Sequence, residues 1–486
     1  MTLVPLDRDV CYRALRTRDA RFDGRFFTAV VSTGIYCRPV CPARIPKIDN
    51  CIFLPSAGAA HQMGFRPCLR CRPEVAPGLA GWRGSANTVS RALGLIAEGG
   101  FDDGGADELA NRLGVGARHL RRLFDRYVGA SPMSVAQAHR ILFAKKLITE
   151  TALSMTEIAL ASGFGSVRRF NDVFHHTYGR TPSDLRKKKR PVSGLDAGIA
   201  LKLPFAAPYD WAAMISFLGA RAIPGVEAVD DEGYRRTFAL DGATGTLEVR
   251  PVAGESVLLA VIHTSDVKPL GVIVARLRRL FDLDADIAAI DEHLARDQEL
   301  ARRVTATPGL RVPGAWDPFE LAVRAVLGQQ VSVRAATTFS GRLVAALGKP
   351  LGAGRARGGA AVLFPTPAAM AMADLGGLGL TGARAATLKS LAAAVAADPR
   401  LLRSHDTLEE TVAKLCELPG IGPWTAQYIA MRALREPDAF PAADLGLLRA
   451  LETSAGRPTA SALSKRAEAW RPWRAYAALR LWSQTI

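Results

Sequence analysis

The sequence predicts a multidomain protein, mainly α with α+β parts, and three observations carry that reading. Its 486 residues exceed what one hydrophobic core organises and leave room for three or four domains. Two close cysteine pairs, Cys37 with Cys41 and Cys68 with Cys71, share one short segment near the start. Behind them the pattern changes twice. Two helix–glycine turn–helix patterns come first, then strand-like runs followed by alanine- and leucine-rich helices from Asp317 onward. The expected bodies are a small α+β module at 1–78, an all-α domain at 85–188, an α+β subdomain at 200–312 and an all-α domain at 313–486.

In the first body, Cys37 and Cys41 lie in GIYCRPVCPAR, and Cys68 and Cys71 lie in FRPCLRCRP. Two close pairs separated by a loop are the arrangement of a structural zinc site, whose tetrahedral shell takes four thiolates. C-x-x-C is also the spacing of a redox dithiol, but two pairs in one small segment favour a single Zn2+. The metal would staple a module that is short for a free-standing core. Cys11, Cys51 and Cys416 have no partner by spacing and read as small apolar filler.

Residues 83–90 read as a linker into a helix that Asn87 or Ser90 would cap. Residues 107–124, DELANRLGVGARHLRRLF, then give a helix, a turn at Gly114 to Gly116, and a second helix rich in arginine. A second copy starts at Met155, with Gly163 in its turn and Phe164, Phe170 and Phe174 expected in the core. In helix-turn-helix spacing the second helix enters the major groove. Candidate base or phosphate readers are Arg118, Arg121, Ser166, Arg168 and Arg169; an arginine there also serves as a solvated or phosphate-touching side chain. His175 and His176 lack metal spacing and are expected to pack or to touch backbone. The run RKKKRP from Arg186 marks a boundary and a nonspecific DNA contact.

Beyond that boundary, residues 211–220 form an apolar helix, and YRRTFAL, the turn Asp241-Gly242 and TLEVRP form a hairpin. The most informative run is LPGIGPWTAQY at 418–428, followed sixteen positions later by Asp444. Gly420 and Gly422 can take positive φ and bring backbone close to a ligand. Pro423 opens the next helix, whose free N–H groups suit a phosphate. Gly420, Gly422 and Thr425 are therefore candidate DNA-backbone contacts. Trp424 and Tyr428, four apart, share a face. A bare LPGxG also reads as an ordinary αα-hairpin with core aromatics.

Charge points to a polyanion. Lys plus Arg number 63 against 46 acidic residues, and residues 1–190 hold 30 basic against 16 acidic, so most of the net +17 sits in front. The opening MTLVPLDRDV lacks an apolar signal core, and VLLAVI at Val257 is strand-sized rather than membrane-spanning. The expectation is a cytoplasmic protein, nucleoid-associated when bound to DNA, with no membrane partner.

Three resemblances follow from these motifs. Residues 1–78, from RDARFDGRFFTAVVSTGIYCRPVCPAR through GFRPCLRCRP, resemble the N-terminal methyl-acceptor domain of Ada. The paired helical units resemble the AraC-family DNA-binding domain. Residues 203–486 resemble an AlkA-type 3-methyladenine DNA glycosylase of the helix-hairpin-helix superfamily. The matching stretches are PYDWAAMISFLGARAIPGVE, DPFELAVRAVLGQQVSV, LPGIGPWTAQYIAMRAL, FPAADLGLLRAL and WRPWRAYAALRLW, in family order. Together they cover nearly all the chain apart from linkers around 78–86 and 187–200.

The resemblances imply an alkylation-damage protein acting on double-stranded DNA at damaged sites and promoters, with RNA polymerase as a further partner of the regulator half. Cys37 would take a methyl group from a DNA methylphosphotriester, taking the site from a formal −2 to −1 and weakening its repulsion from DNA phosphates. Asp444 would be the catalytic carboxylate for base excision, with Asp317 and Asp438 as rivals off the matching position. Trp424, Tyr428, Trp482 and Phe217 would line the pocket for a flipped, positively charged base. Trp424 stands where strand-cutting relatives carry a Schiff-base lysine, which implies hydrolysis only. A monovalent cation at the hairpin backbone is implied, and an iron–sulfur cluster is not. The PCHRV motif of Ada's second methyltransferase domain is missing. Gln330 replaces an apolar wedge, and Ala442 and Ala443 precede Asp444 where a further acid is sometimes found. The competing reading is an alkylation-responsive transcription factor whose glycosylase body binds DNA without catalysis.

Overall fold

The computed structural model describes residues 6–76, 87–99, 105–186 and 198–483, apart from 353, 405–406 and 455. The lysines of the RKKKRP run, the linker at 78–86 and most of that at 187–200 lie outside the described residues, as does the side chain of Asn87. Contacts divide the chain into two units. One comprises Met1–Ala206, Ser256–Ala275 and Leu283–Ala285; the other comprises Ala207–Glu255, Arg276–Asp282 and Asp286–Ile486. The protein is multidomain and largely helical, with sheet in both units. No helix among the described residues is long and apolar enough to cross a membrane.

In the first unit, β1 (Phe27–Val30) pairs antiparallel with both β2 (Ile35–Cys37) and β3 (Cys51–Leu54). Phe27, Ala29, Tyr36 and Leu54 fill the core of this small sheet. The decisive pairing is parallel: β2 lies beside β4 (Arg66–Pro67), with Ile35 opposite Arg66 and Tyr36 opposite Pro67. Parallel strands end at the same edge, so Cys37, the last residue of β2, and Cys68, just after β4, emerge together. Tyr36 O accepts from Cys68 N at 3.0 Å and fixes that register.

The helical part of this unit holds Gly105–Leu113 and Ala117–Tyr127, then the long helix Pro132–Glu150, then Met155–Ala161 and Val167–Tyr178. Gly114 and Gly163 make the two left-handed turns. Phe164, Phe170 and Phe174 pack in series, tilted and then T-shaped, with centroids 5.4 and 5.6 Å apart. Two expectations are corrected. Ser90 lies one turn inside the helix Asn87–Ala97, not at its N-cap position. His175 and His176 are exposed, because Phe170, Phe174, Thr177 and Tyr178 claim the inward face at helical spacing. The long helix buries two lysines, and both are paired: Lys145 with Glu74 and Lys146 with Glu150. The strand Ile199–Pro204 pairs antiparallel with Val257–Thr264.

The second unit carries a three-stranded meander, Glu227–Asp230, Gly233–Leu240 and Ala243–Pro251. Asp241 and Gly242 turn its predicted hairpin with φ +48° and +81°, the left-handed pair that a two-residue connection requires. The helices Pro318–Leu327, Val333–Leu347, Gly382–Ala397, Leu408–Cys416 and Pro423–Arg432 enclose a core of Leu321, Val326, Leu343, Leu388, Leu391 and Ile429.

Candidate metal centre and candidate active site

The four cysteines of the two pairs come together as the spacing predicts: their Sγ atoms all lie within 4.8 Å of one another. Cys41 and Cys68 Sγ are 4.0 Å apart. Zinc–sulfur bonds of about 2.3 Å in a tetrahedron set sulfurs about 3.8 Å apart, so the donor set fits a zinc ion with little adjustment. Arg38 braces the site. Its backbone N–H donates to Cys71 Sγ at 3.3 Å, while its guanidinium donates to Cys71 O at 3.0 Å and to Asp23. Crowded sulfurs compete for protons. Hydrogen bonding with Cys41, Cys68 and Cys71 drives the Cys37 thiol far up, and Cys37 in turn draws Cys41 down to about 7. A divalent cation relieves that competition by taking thiolates. Cys41, Cys68 and Cys71 are buried, whereas Cys37 is only half-buried. Cys11 and Cys51 are buried filler, and burial pushes the Cys11 thiol up to about 11.

On the helix-turn-helix elements, Arg118, Arg121, Arg168 and Arg169 are exposed on the second helix of each pair. Ser166 is committed differently. Its hydroxyl accepts from Arg169 N at 3.2 Å as the N-cap of Val167–Tyr178.

In the second unit the hairpin runs from Leu408–Cys416 through a tight turn into Pro423–Arg432. Gly420 is left-handed at φ +81°, but Gly422 is an extended N-cap at φ −92°. The requirement at Gly420 is also steric: a Cβ there would stand 2.0 Å from Thr387 Oγ1. Gln329 clasps the turn from the side. Its Nε2 donates to Gly420 O at 2.9 Å and to Thr425 Oγ1 at 3.0 Å, while its own carbonyl accepts from Arg384 at 2.6 Å. Thr425 is buried and its hydroxyl serves this clasp, so its side chain is not a free DNA contact. Gln330 is exposed and left-handed at φ +55°.

Around Asp444 three predicted residues converge. Trp424 and Tyr428 stack with centroids 5.5 Å apart and planes 7° from parallel. Tyr428 and Trp482 rings lie 6.4 Å apart. Both indoles aim at the carboxylate: Trp424 Nε1 donates to Asp444 Oδ2 at 2.9 Å, and Trp482 Nε1 to Oδ1 at 2.8 Å. Asp444 also caps Leu445–Ala450, accepting from Leu447 N at 3.1 Å. Gly446 keeps this arrangement open, since a Cβ there would meet Asp444 Oδ1 at 2.9 Å and Trp482 at 3.1 Å. The rival carboxylates are occupied elsewhere. Asp317 caps Pro318–Leu327 and pairs with Arg276, and Asp438 is held by Arg471 and Arg474.

Phe217 is buried beneath cations. Arg221 stands 3.8 Å and Arg432 4.7 Å above its ring, and Arg432 donates to Tyr428 Oη at 2.8 Å. Burial alone would raise the Tyr428 phenol, but Arg432, Arg221 and Arg324 outweigh it and bring it below its usual value. Sequence reasoning missed Gln329, Thr387 and these arginines. Helical spacing could have found two of them: Arg221 follows Phe217, and Arg432 follows Tyr428, by four residues.

Four family models match the chain: the metal binding domain of Ada over residues 10–74, a helix-turn-helix domain over 109–188, the AlkA N-terminal domain over 200–317, and the HhH-GPD superfamily base excision DNA repair protein over 323–475. The chain is 43% identical to a probable bifunctional transcriptional activator/DNA repair enzyme AlkA of Mycobacterium tuberculosis, across 98% of this chain and 96% of that protein. It is 34% identical to DNA-3-methyladenine glycosylase 2 of Escherichia coli, across 58% of this chain and 95% of that one. A solved 3-methyladenine DNA-glycosylase from Archaeoglobus fulgidus shares the fold over 58% of this chain and 96% of its own length, with a TM-score of 0.51 at 21% identity.

Proposed function

The chain belongs to the family of the bifunctional transcriptional activator/DNA repair enzymes of AlkA type, and from that premise we propose that it joins three activities on DNA: methyl acceptance, transcriptional regulation and base excision. The proposed bodies are 1–78, 85–188, 200–312 and 313–486. The observation that carries the excision reading is the carboxylate of Asp444 held by the indoles of Trp424 and Trp482 beside the Trp424–Tyr428 stack.

Excision begins with the base outside the duplex, since the glycosidic bond is not reachable in the stack. An N3- or N7-alkylated purine is cationic, and it leaves with the bonding electron pair as a neutral base. The sugar is left as an oxocarbenium-like centre. Asp444, fixed by two N–H donors and a helix N-terminus, supplies the negative charge that stabilises this centre. Water then adds to C1′ and gives up a proton, leaving an abasic site. Trp424, Tyr428, Trp482 and Phe217 form the aromatic pocket of this proposal, with Gly420, Gly422 and the Thr425 backbone against phosphate and Gln330 toward the gap in the duplex. A monovalent cation at the hairpin carbonyls belongs to the same proposal.

In the first unit, zinc when bound keeps the cysteine sulfurs deprotonated at neutral pH. Cys37 is the accessible member of the four, which supports it as the acceptor. Its sulfur attacks the methyl carbon of a methylphosphotriester, the C–O bond breaks, and the electron pair leaves on a phosphodiester anion. The loss of one negative charge then strengthens DNA binding through Arg118, Arg121, Arg168 and Arg169, with RNA polymerase as the partner of the activated form.

Incubating the purified chain with methylated duplex DNA tests both halves. Release of 3-methyladenine, with a gain of one methyl mass on the peptide containing Cys37, is expected. Intact bases with folded, DNA-bound protein would instead favour a regulator whose glycosylase body is a binding module.

A further inference from the structure

Behind the aromatic residues of the second unit lies a small cavity of ≈ 30 Å³. It is room for about two water molecules, far less than a nucleobase needs. Neither Trp424, Tyr428, Trp482 nor Asp444 lines it; Arg221, Arg324 and Arg432 do, together with Glu227, Asp317 and Glu320.

The carboxylates of this wall are already satisfied by partners of their own. Glu320 takes both guanidinium nitrogens of Arg236, Glu227 takes Tyr234 Oη, Arg236 and Ile223 N, and Asp317 takes Arg276 and the N–H groups of its own helix start. The three arginines have neutral acceptors only. Arg221 donates to Phe217 O, Arg324 to Thr337 Oγ1, and Arg432 to Pro313 O, Gly314 O and Tyr428 Oη. None of the three forms an ion pair among the described residues. Arg324 Nη1 is buried with no hydrogen-bond partner among them. With Arg236 and Arg276, which pair with the carboxylates of the wall, and Asp444, which attracts Arg221, this neighbourhood holds five guanidiniums and four carboxylates, an excess of one positive charge. Uncompensated buried charge is costly, and so is an unsatisfied buried donor.

We propose that this cavity is a binding site for a compact monovalent anion of halide size, held by Arg324 Nη1 with Arg221 and Arg432. Burial, which outweighs the attraction of Glu227, already pushes the Arg324 guanidinium down to about 10, the cost that a bound anion relieves. The small volume favours a compact anion. One consequence rests on the pocket reading above. Arg221 and Arg432 stand over the faces of Phe217 and Tyr428, so an anion beside them offsets one unit of the positive charge that would otherwise oppose a cationic base.

The test needs no catalysis. The full chain is crystallised from sodium bromide and diffraction is measured at the bromine edge. The expected result is one anomalous peak within hydrogen-bonding distance of Arg324 Nη1. In parallel, protection of the amides of Pro318–Leu327 from hydrogen exchange is followed while gluconate is replaced by chloride at fixed ionic strength. A saturating rise is expected, equivalent to about an elevenfold change in the local folding equilibrium at ten times Kd. Arg324→Gln should fold and lose that dependence. Density for water alone in the cavity, or equal chloride dependence in parent and variant, overturns the proposal. The bromide experiment on the parent decides it if the variant does not fold.

Discussion

Replacing Gly420 by alanine should damage the hairpin twice over, and the two costs can be separated. The residue sits at φ +81°, where a β-carbon costs about 1–2 kcal/mol. That β-carbon would also stand 2.0 Å from Thr387 Oγ1, 2.9 Å from its Cγ2 and 3.0 Å from its Cβ. Thr387 is buried and its hydroxyl donates to Ala383 O at 3.0 Å, so it has little room to turn away. Overpacking of this kind costs about 1–3 kcal/mol, giving about 2–5 kcal/mol in all for Gly420→Ala. Thr387→Ala alone should cost about 1–2 kcal/mol, from a lost methyl and hydrogen bond. In the double variant the two closest contacts vanish, leaving the backbone cost and the 3.0 Å approach to the β-carbon at 387. The pair should therefore be less damaging than the sum by about 1–3 kcal/mol. Hydrogen exchange of the amides in 408–432 reads this locally, which suits a multidomain chain without a single unfolding transition. Strict additivity, or a Gly420→Ala cost below about 1 kcal/mol, would refute the claim that packing against Thr387 sets this glycine.

Other outcomes follow from the same geometry. Gln329→Ala should free Gly420 O and leave the buried Thr425 hydroxyl unpaired, costing about 1–3 kcal/mol, seen as faster exchange in the hairpin and weaker DNA binding. Chelating the metal, or Cys68→Ala, should unfold 6–76 by circular dichroism; an unchanged spectrum would show that the module stands without it. Arg168→Gln should weaken DNA binding evenly across sequences and reduce the salt slope by about 1 if it touches phosphate, or selectively at one base if it reads sequence. Burial, opposed by Arg236, holds Glu320 at about 7, above its ordinary value. A raised carboxyl favours the folded state at low pH, so its contribution is full below the unfolded value and fades as pH climbs toward 7. Glu320→Gln should remove up to about 3 kcal/mol of that slope, measured as the difference between parent and variant melts from pH 4.5 to 7.5.

What the sequence disclosed and what it withheld divide along a physical line. The cysteine cluster, the two helical pairs and the start of the helix at Pro423 are written in spacing and in residues with narrow backbone preferences, and all appear in the structure. Asp444 was found by its place in a motif, but its two indole donors come from 20 and 38 residues away and are fixed only by packing. Gln329, 91 residues from Gly420, left no local signal, nor did the contact between Gly420 and Thr387. Gly422, Ser166 and Thr425 show local roles that spacing does not disclose, for one reason. A small polar or flexible residue advertises what it can do, while its neighbours decide what it does: an extended cap, a helix cap and half of a clasp. The arginines around Phe217 and Tyr428 were legible as helical neighbours, but their lack of carboxylate partners was not.

Single-turnover base release from methylated duplex DNA, comparing the parent with Asp444→Asn at saturating protein, tests the central claim most directly. The amide keeps the shape of the side chain but removes its charge. The account predicts that DNA binding survives, that the parent releases 3-methyladenine, and that the variant's chemical step slows at least about a hundredfold, as expected for losing a group placed against developing charge. Equal rates in the two proteins would contradict it and move catalysis away from Asp444.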